Sequence, residues 1–362
     1  MIIPVHLGAR SYDIVVERGA LASVGARLRP LRVGSRVALF TDPGIARRYG
    51  PTVIESLSGA GFTVSVIELP EGEAAKTLSV AAEGWDACVA AGLDRSSTIV
   101  ALGGGAVGDL AGFVSATYMR GTHFVQVPTT VLAQVDASSG GKTAIDHPKG
   151  KNLIGAFHQP RLVVVDTATV DSLPARDYRS GLAEVVKHGV VLDADYFEDV
   201  ERSADALTGR EPAAVDRIIA GSCRLKASVV ERDERESALR MVLNYGHTIG
   251  HAIEAVTGFA QLTHGEAVAL GMTAEAALAA RLGLAAAETQ ARQERLLTRL
   301  GLPTRTRAVD PARVLEAMAR DKKGRDGRVP FVLAPEIGRF KIVDDVSAAD
   351  VEAALRAIAD RG

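Results

Sequence analysis

Three of the eight histidines fall in one short stretch, NYGHTIGHAIE at 244–254 followed by LTHGE at 262–266. Histidine is the commonest metal-ligating side chain and titrates near neutral pH, so the clustering points to a metal site. His247 and His251 are four residues apart and share a face on a helix, while His264 opens a second helical pattern. A zinc site commonly takes three protein ligands and leaves a position for water or substrate. Local spacing favours His247 with His251 as the pair. The protease pattern HExxH is broken, because Thr248 follows the first histidine. A ligand from elsewhere must complete the set, and RSGLAEVVKH at 179–188 offers Glu184. There Glu184, Lys187 and His188 share a helical face, a spacing that fits an ordinary surface ion pair better than a ligand.

Two glycine-rich strings suggest anionic ligands. LGGGAVGD at 102–109 runs from an apolar β-branched segment into a helical pattern and satisfies GxGxxG. Such glycines let backbone approach a pyrophosphate at a helix N-terminus. Two details depart from the ordinary dinucleotide fingerprint: the motif follows the fifth strand, and QVPTT at 126–130 stands where an acid would end the next one. DASSGGKT at 136–143 ends like a nucleotide-triphosphate loop, but Asp136 occupies the first glycine position, which disfavours a triphosphatase. Its lysines, with Lys149, Lys151 and Asn152, fit either a small phosphorylated ligand or a solvated basic loop. The run ERDERE at 231–236 reads mostly as solvated charge.

These residues need a scaffold. Short β-branched runs at 12–17, 36–41, 63–69, 98–102, 123–127 and 162–166 alternate with helical stretches such as 76–91 and 107–117, which predicts a parallel sheet flanked by helices. From about Ala175 the pattern turns helical, as at 217–231, 267–281 and 285–300; only 329–333 and 340–343 look extended. The expected architecture is an α/β, Rossmann-like dinucleotide-binding domain over 1–174, then an all-α metal- and substrate-binding domain over 175–362.

Composition fits a globular protein of two domains: 362 residues, 47% hydrophobic and 24% charged. A net charge of −2 gives no reason to expect a nucleic-acid or membrane partner. No apolar run is long enough to span a bilayer, and the first residues lack a basic region followed by an apolar stretch. Cys88 and Cys223 sit in apolar helical contexts and are expected to be reduced, so a cytoplasmic location is expected.

Taken in order, LGGGAVGD at 102–109, MRG at 119–121, QVPTT at 126–130, the stretch 136–152, GLAEVVK at 181–187, DERE at 233–236, LNYGH at 243–247 and HGE at 264–266 resemble the 3-dehydroquinate synthases over nearly the whole chain. The resemblance implies conversion of 3-deoxy-arabino-heptulosonate 7-phosphate to 3-dehydroquinate and phosphate in the shikimate pathway. It also implies bound NAD, a divalent metal (zinc or cobalt) and a homodimer. It makes Glu184, His247 and His264 the metal ligands and moves His251 into the substrate pocket. NAD would be held by Asp42, by Glu71, Gly72, Glu73, Ala74, Ala75 and Lys76, by Gly105, Ala106, Val107, Gly108 and Asp109, and by Thr129 and Thr130. Lys142, Lys151, Thr169, Val170, Asp171 and Ser172 would also line its site. Substrate contacts carried over are Arg120 (toward the partner subunit's site), Asp136, Lys142, Asn152, Lys187, Lys226, Arg240, Asn244, His251 and Lys322 or Lys323. Lys142, Lys187, Asn244 and His251 are the catalytic candidates. Ser139 stands where a β-branched residue is usual, and His188 where an aromatic is common.

The chemistry implied is transient oxidation by NAD, phosphate elimination beside the new ketone, return of hydride, ring opening and aldol closure. The cations suit a substrate bearing phosphate and carboxylate. That weighs against a metal-dependent polyol dehydrogenase, and against a secondary-metabolism cyclase acting on a substrate without a carboxylate.

Overall fold

The structure, a computed structural model, describes residues 1–258, 261–307, 309–322 and 329–359, and of 320–322 the backbone alone. The chain groups into two compact units: Met1–Leu173 with Lys226–Arg235, and Pro174–Leu225 with Glu236–Gly362.

The first unit is built on strands β1 (Ile2–Val5), β2 (Tyr12–Val16), β3 (Arg36–Thr41), β4 (Thr63–Glu68), β5 (Thr98–Gly103), β6 (His123–Pro128), β7 (Lys142–His147), β8 (Gly150–Phe157) and β9 (Leu162–Val165). Its helices are α1 (Val24–Leu28), α2 (Pro43–Gly59), α3 (Leu78–Ala90) and α4 (Gly105–Thr117). Seven strands form one sheet in the order β1-β2-β9-β6-β5-β3-β4; every pair is parallel except β1–β2. Successive residues of the central strands face opposite layers. Val37, Leu39, Val100 and Leu102 pack with Val24, Leu28, Val53 and Leu57. Phe40, Ile99 and Ala101 pack with Val80, Val107, Leu110 and Ala111. Burial on both faces is why these strands read as continuous apolar runs, each larger side chain contributing about 1.5–3 kcal/mol.

From β3 the chain goes to β4 on one side and then to β5 on the other. This makes the carboxyl ends of β3 and β5 a topological switch point, where open α/β sheets bind ligands. The glycine string therefore sits at the expected place although it follows the fifth strand.

Lys142–Phe157, readable from sequence as a basic loop, is instead an antiparallel hairpin of β7 and β8. The charge run at 231–236 is partly pinned rather than wholly solvated. Arg10 donates twice to Glu234 (2.9 and 2.7 Å), Gln159 Nε2 donates to Glu234 (3.1 Å), and the His6 amide donates to Glu231 (2.6 Å). These bonds explain why Lys226–Arg235 groups with the first unit.

The second unit contains α5 (Ala175–Leu192), α6 (Ala194–Arg202), α7 (Ala204–Thr208), most of α8 (Pro212–Arg232), α9 (His247–Val256), α10 (His264–Arg281), α11 (Ala287–Arg299), α12 (Pro311–Lys322) and α13 (Ala348–Ile358). Its extended part among the described residues is the two-stranded pair β10 (Phe331–Leu333) and β11 (Lys341–Val343). Ile249 and Ile253 of α9 pack with Leu270, Ala274 and Leu278 of α10 and with Val314, Leu333 and Leu355. The two helices approach closely at Gly271, where a Cβ would overlap the Gly246 carbonyl. The sheet unit followed by a helical unit is the fold class the sequence pattern predicts. Among the described residues, no helix is long and apolar enough to cross a membrane.

Candidate active site

Helix α5 carries Glu184 with its side chain fully buried, so the surface-pair reading of this helix is wrong. Lys187, one turn on, is 1% exposed and its ammonium is paired with Glu184 Oε2. His188 is buried as well, its Nδ1 bonded to Ser222 Oγ at 2.6 Å. The sequence shows the charges but not the packing of α5, and the packing decides.

Glu184 Oε1 lies 3.4 Å from His247 Nε2 and 3.4 Å from His264 Nε2. One ligand atom from each of the three groups lies within 4.8 Å of the others. A carboxylate and two imidazole nitrogens converging in this way fit a divalent cation such as zinc or cobalt. The remaining nitrogens are anchored outward. His247 Nδ1 meets the Tyr245 carbonyl at 3.1 Å, and His264 Nδ1 meets Glu254 Oε1 at 3.4 Å. Outer partners of this kind would set the tautomer and leave Nε2 free to face a bound cation.

Local sequence explains each placement. α9 starts directly at His247. α10 starts at His264 behind a capping box, in which the Thr263 hydroxyl accepts from the Glu266 amide and the Glu266 carboxylate from the Thr263 amide. Arg176 then clamps Glu266 with two bonds of 2.8 and 2.6 Å. Glu266 is thus occupied as a cap. His251 is exposed, one turn above His247, with ring centroids 5.2 Å apart. It forms a second potential donor group with Glu254 and His264.

Burial and the Lys187 charge push the His247 imidazole well below its ordinary range. Burial also acts to lower His264, but its bonds to Glu184 and Glu254 outweigh that and raise it to about 10. The two imidazoles are thus pushed in opposite directions around Glu184.

In the first unit, the expected dinucleotide residues stand after β3, β4, β6 and β9, on the first turn of α4, and on β7 and β8. Asp42 follows β3 and caps α2, accepting from the Ile45 amide at 2.9 Å. Gly105, Ala106, Val107, Gly108 and Asp109 form the first turn of α4, which Gly104 leaves without a side-chain cap. At Gly108 a Cβ would come within 2.7 Å of the Gln126 side chain. Thr129 and Thr130 follow β6. The Thr129 hydroxyl is buried and has no partner among the described residues, which suits a polar cofactor group. Glu71 precedes the turn Gly72–Ala75, and Lys76 ends it. Lys76 is 3% exposed and donates to Asp109 Oδ2 at 2.8 Å and to the Asn152 side chain. Lys151 pairs with Glu73 at 3.2 Å. Thr169, Val170, Asp171 and Ser172 form a turn tied to α2 by Tyr49, whose hydroxyl meets the Thr169 carbonyl at 3.1 Å and Ser172 Oγ at 2.7 Å.

Of the predicted substrate residues in this unit, Asp136 lies in the π-helical turn Ala133–Ala137 and pairs with Lys226. Lys142 is exposed at the start of β7, and Arg120 is exposed on a left-handed backbone with φ 65°. In the second unit, Arg240 is 2% exposed and Asn244 donates to Glu236 at 3.2 Å. Lys322 ends α12 with its side chain outside the described part, and Lys323 lies outside the described residues. Sequence reasoning missed Glu254, Tyr49 and Gln134, the last a buried amide that donates to Pro128 O, Asp166 O and Thr169 Oγ1. Tyr49 and Gln134 lie in no motif, while Glu254 closes the 244–254 stretch, three residues after His251.

Comparison with known proteins agrees with this geometry. Family models described as 3-dehydroquinate synthase N-terminal and 3-dehydroquinate synthase C-terminal match residues 66–180 and 181–324. The 3-dehydroquinate synthase of Desulforamulus reducens is 47% identical over 98% of this chain and 99% of its own length. Among solved structures, 2-deoxy-scyllo-inosose synthase with carbaglucose-6-phosphate, NAD+ and Co2+ superposes with a TM-score of 0.89 at 27% identity, covering 99% of each chain. The 2-epi-5-epi-valiolone synthase of Streptomyces hygroscopicus with NAD+ and Zn2+ gives 0.88 at 28% identity, covering 96% of each. On the two family models and the near-full-length relative, the chain belongs to the 3-dehydroquinate synthase family.

Proposed function

We propose that this chain is a 3-dehydroquinate synthase, converting 3-deoxy-arabino-heptulosonate 7-phosphate to 3-dehydroquinate and phosphate. NAD and a divalent cation, zinc or cobalt, are its resident cofactors. The observation that carries the reading is the meeting of Glu184 with His247 and His264 in a chain of this family. When bound, the cation supplies Lewis acidity to a substrate hydroxyl, and NAD supplies a temporary hydride acceptor regenerated in each turnover.

The chain's own residues bind and orient. The first-turn amides of α4 suit the NAD pyrophosphate, with the Thr129 hydroxyl, Asp42, the 71–76 segment, Thr130, Lys142, Lys151 and the Thr169–Ser172 turn around the rest. The substrate carries a phosphate and a carboxylate, and the cations assigned to it are Lys142, Lys187, Lys226, Arg240 and, toward a partner subunit of a homodimer, Arg120. Glu184 and Asp136 pair with Lys187 and Lys226. Asn244 and His251 orient substrate hydroxyls, and Asp136, Asn152 and Lys322 complete its contacts. The departing phosphate takes the proton lost from the neighbouring carbon, so no carboxylate need act as base. Loss of phosphate by elimination makes the enzyme a carbon–oxygen lyase. A cytoplasmic location suits such a biosynthetic enzyme.

The test is phosphate release from that substrate with NAD present. Chelation of the metal should abolish it and added zinc or cobalt restore it. Glu184→Ala should lose metal and activity together; an active or metal-loaded Glu184→Ala protein would refute the assignment.

A further inference from the structure

Every helix start leaves backbone N–H groups without intrahelical partners. α9 starts on Gly246, which has φ 78° and no side chain to serve as a cap. The start is buried: His247, Ile249 and Gly250 are all inside. Glu275, three turns along α10, supplies what is missing. It is fully buried; its Oε2 accepts from the Gly246 amide at 2.6 Å, and its Oε1 faces the Ile249 amide at 3.5 Å. Among the described residues no cation pairs with it. A buried carboxylate without a cation is expensive, and burial raises this one. The contacts of Glu275 are with the first turn of α9, and the mechanism above makes no use of it.

We propose that Glu275 is a positioning residue of the metal centre. By capping α9 from α10 it fixes the height and rotation of the helix that carries His247, and so sets His247 Nε2 beside Glu184. His264 stands on α10 itself, so one side chain ties the helices of both imidazole donors together. The glycine contact at Gly271 holds the helices close enough for Glu275 to reach. The inference rests on the reading of Glu184, His247 and His264 as ligands.

The experiment measures Co2+ affinity by competition with a chelating indicator, together with the cobalt d–d spectrum, on purified full-length wild type, His247→Ala, Glu275→Leu and Glu275→Gln. Thermal unfolding of the metal-free proteins and NAD affinity serve as controls. Glu275→Leu removes both acceptors and should bind cobalt about tenfold or more weakly, with a shifted spectrum and unchanged NAD affinity. Glu275→Gln keeps one acceptor and turns an NH2 toward the other amide, so a measurable weakening, smaller than in Glu275→Leu, is expected. If Glu275→Leu does not fold, Glu275→Gln decides. Wild-type cobalt affinity and spectrum in the folded variant, even with a lowered Tm, overturn the proposal. If His247→Ala also binds cobalt like the wild type, the ligand assignment falls and this inference with it. Loss in His247→Ala alone overturns only the role of Glu275.

Discussion

Lys76→Met isolates one buried ion pair in the first unit. The Lys76 side chain is 4% exposed, its ammonium is 2.8 Å from Asp109 Oδ2, and Asp146 stands 3.8 Å away. Burial acts to lower Lys76, but the neighbouring carboxylates of Asp109, Glu73 and Asp146 outweigh it and raise it. Asp109 is itself raised, by burial and then by Glu73 and Asp146, although Lys76 pulls it down. Both directions express one fact: Asp109 and Asp146 face the same ammonium, with Glu73, itself paired with Lys151, close by. Removing that cation leaves the half-buried Asp109 without its partner, a defect that costs about 1–3 kcal/mol. At about 2–4 °C per kcal/mol for a unit of this size, Tm should fall by roughly 2–12 °C at pH 7. The sign with pH follows from the raised carboxyl. Its folded value lies above its unfolded value, so the penalty grows as pH rises through that interval and fades toward about pH 4. The assay is calorimetry of wild type, Lys76→Met, Asp109→Asn and the double variant at pH 4 and pH 7. The double variant should recover most of the loss. A Lys76→Met protein as stable as the wild type, or a double variant no better than Lys76→Met, would refute the reasoning.

Glu254→Ala removes the acceptor at His264 Nδ1 and should weaken metal binding about tenfold or more while Glu254→Gln keeps most of it; equal affinities across the three proteins would deny Glu254 that role. Arg10 holds the Glu234 carboxyl below its usual range by hydrogen bonding, so their pair adds stability above the ordinary carboxylate pKa and loses it as pH falls through the lowered one. Arg10→Ala should therefore lower the urea midpoint slightly at pH 7 and leave it unchanged near pH 2. Gly271→Ala drives a Cβ into the Gly246 carbonyl and should destabilise by about 1–3 kcal/mol; an unchanged urea midpoint would show that the helices yield at no cost.

How legible the chain was depended on what fixes each part. The central strands announced themselves because both faces are buried, and helices α8 and α10 because their composition is helical throughout. The hairpin Lys142–Phe157 did not, since its glycines and lysines read as a loop and its residues 152–155 stay exposed. The proposed metal donors were half legible. His247 and His264 stood out by type, but spacing favoured His251, which the fold turns outward from Glu184. Glu184 looked like a surface residue because a helix face shows its charges in sequence and not what covers it. Glu275 was invisible, as a cap supplied from another helix leaves no local signature.

The most direct test of the whole account is a count of products. Purified protein, saturated with zinc or cobalt, is given 3-deoxy-arabino-heptulosonate 7-phosphate and NAD at a small fraction of the substrate concentration, and inorganic phosphate and NADH are followed together. The account requires phosphate to reach the substrate total while NADH never accumulates beyond the enzyme concentration. Phosphate release that stops when the NAD is used up, with NADH formed in equal amount, would contradict it.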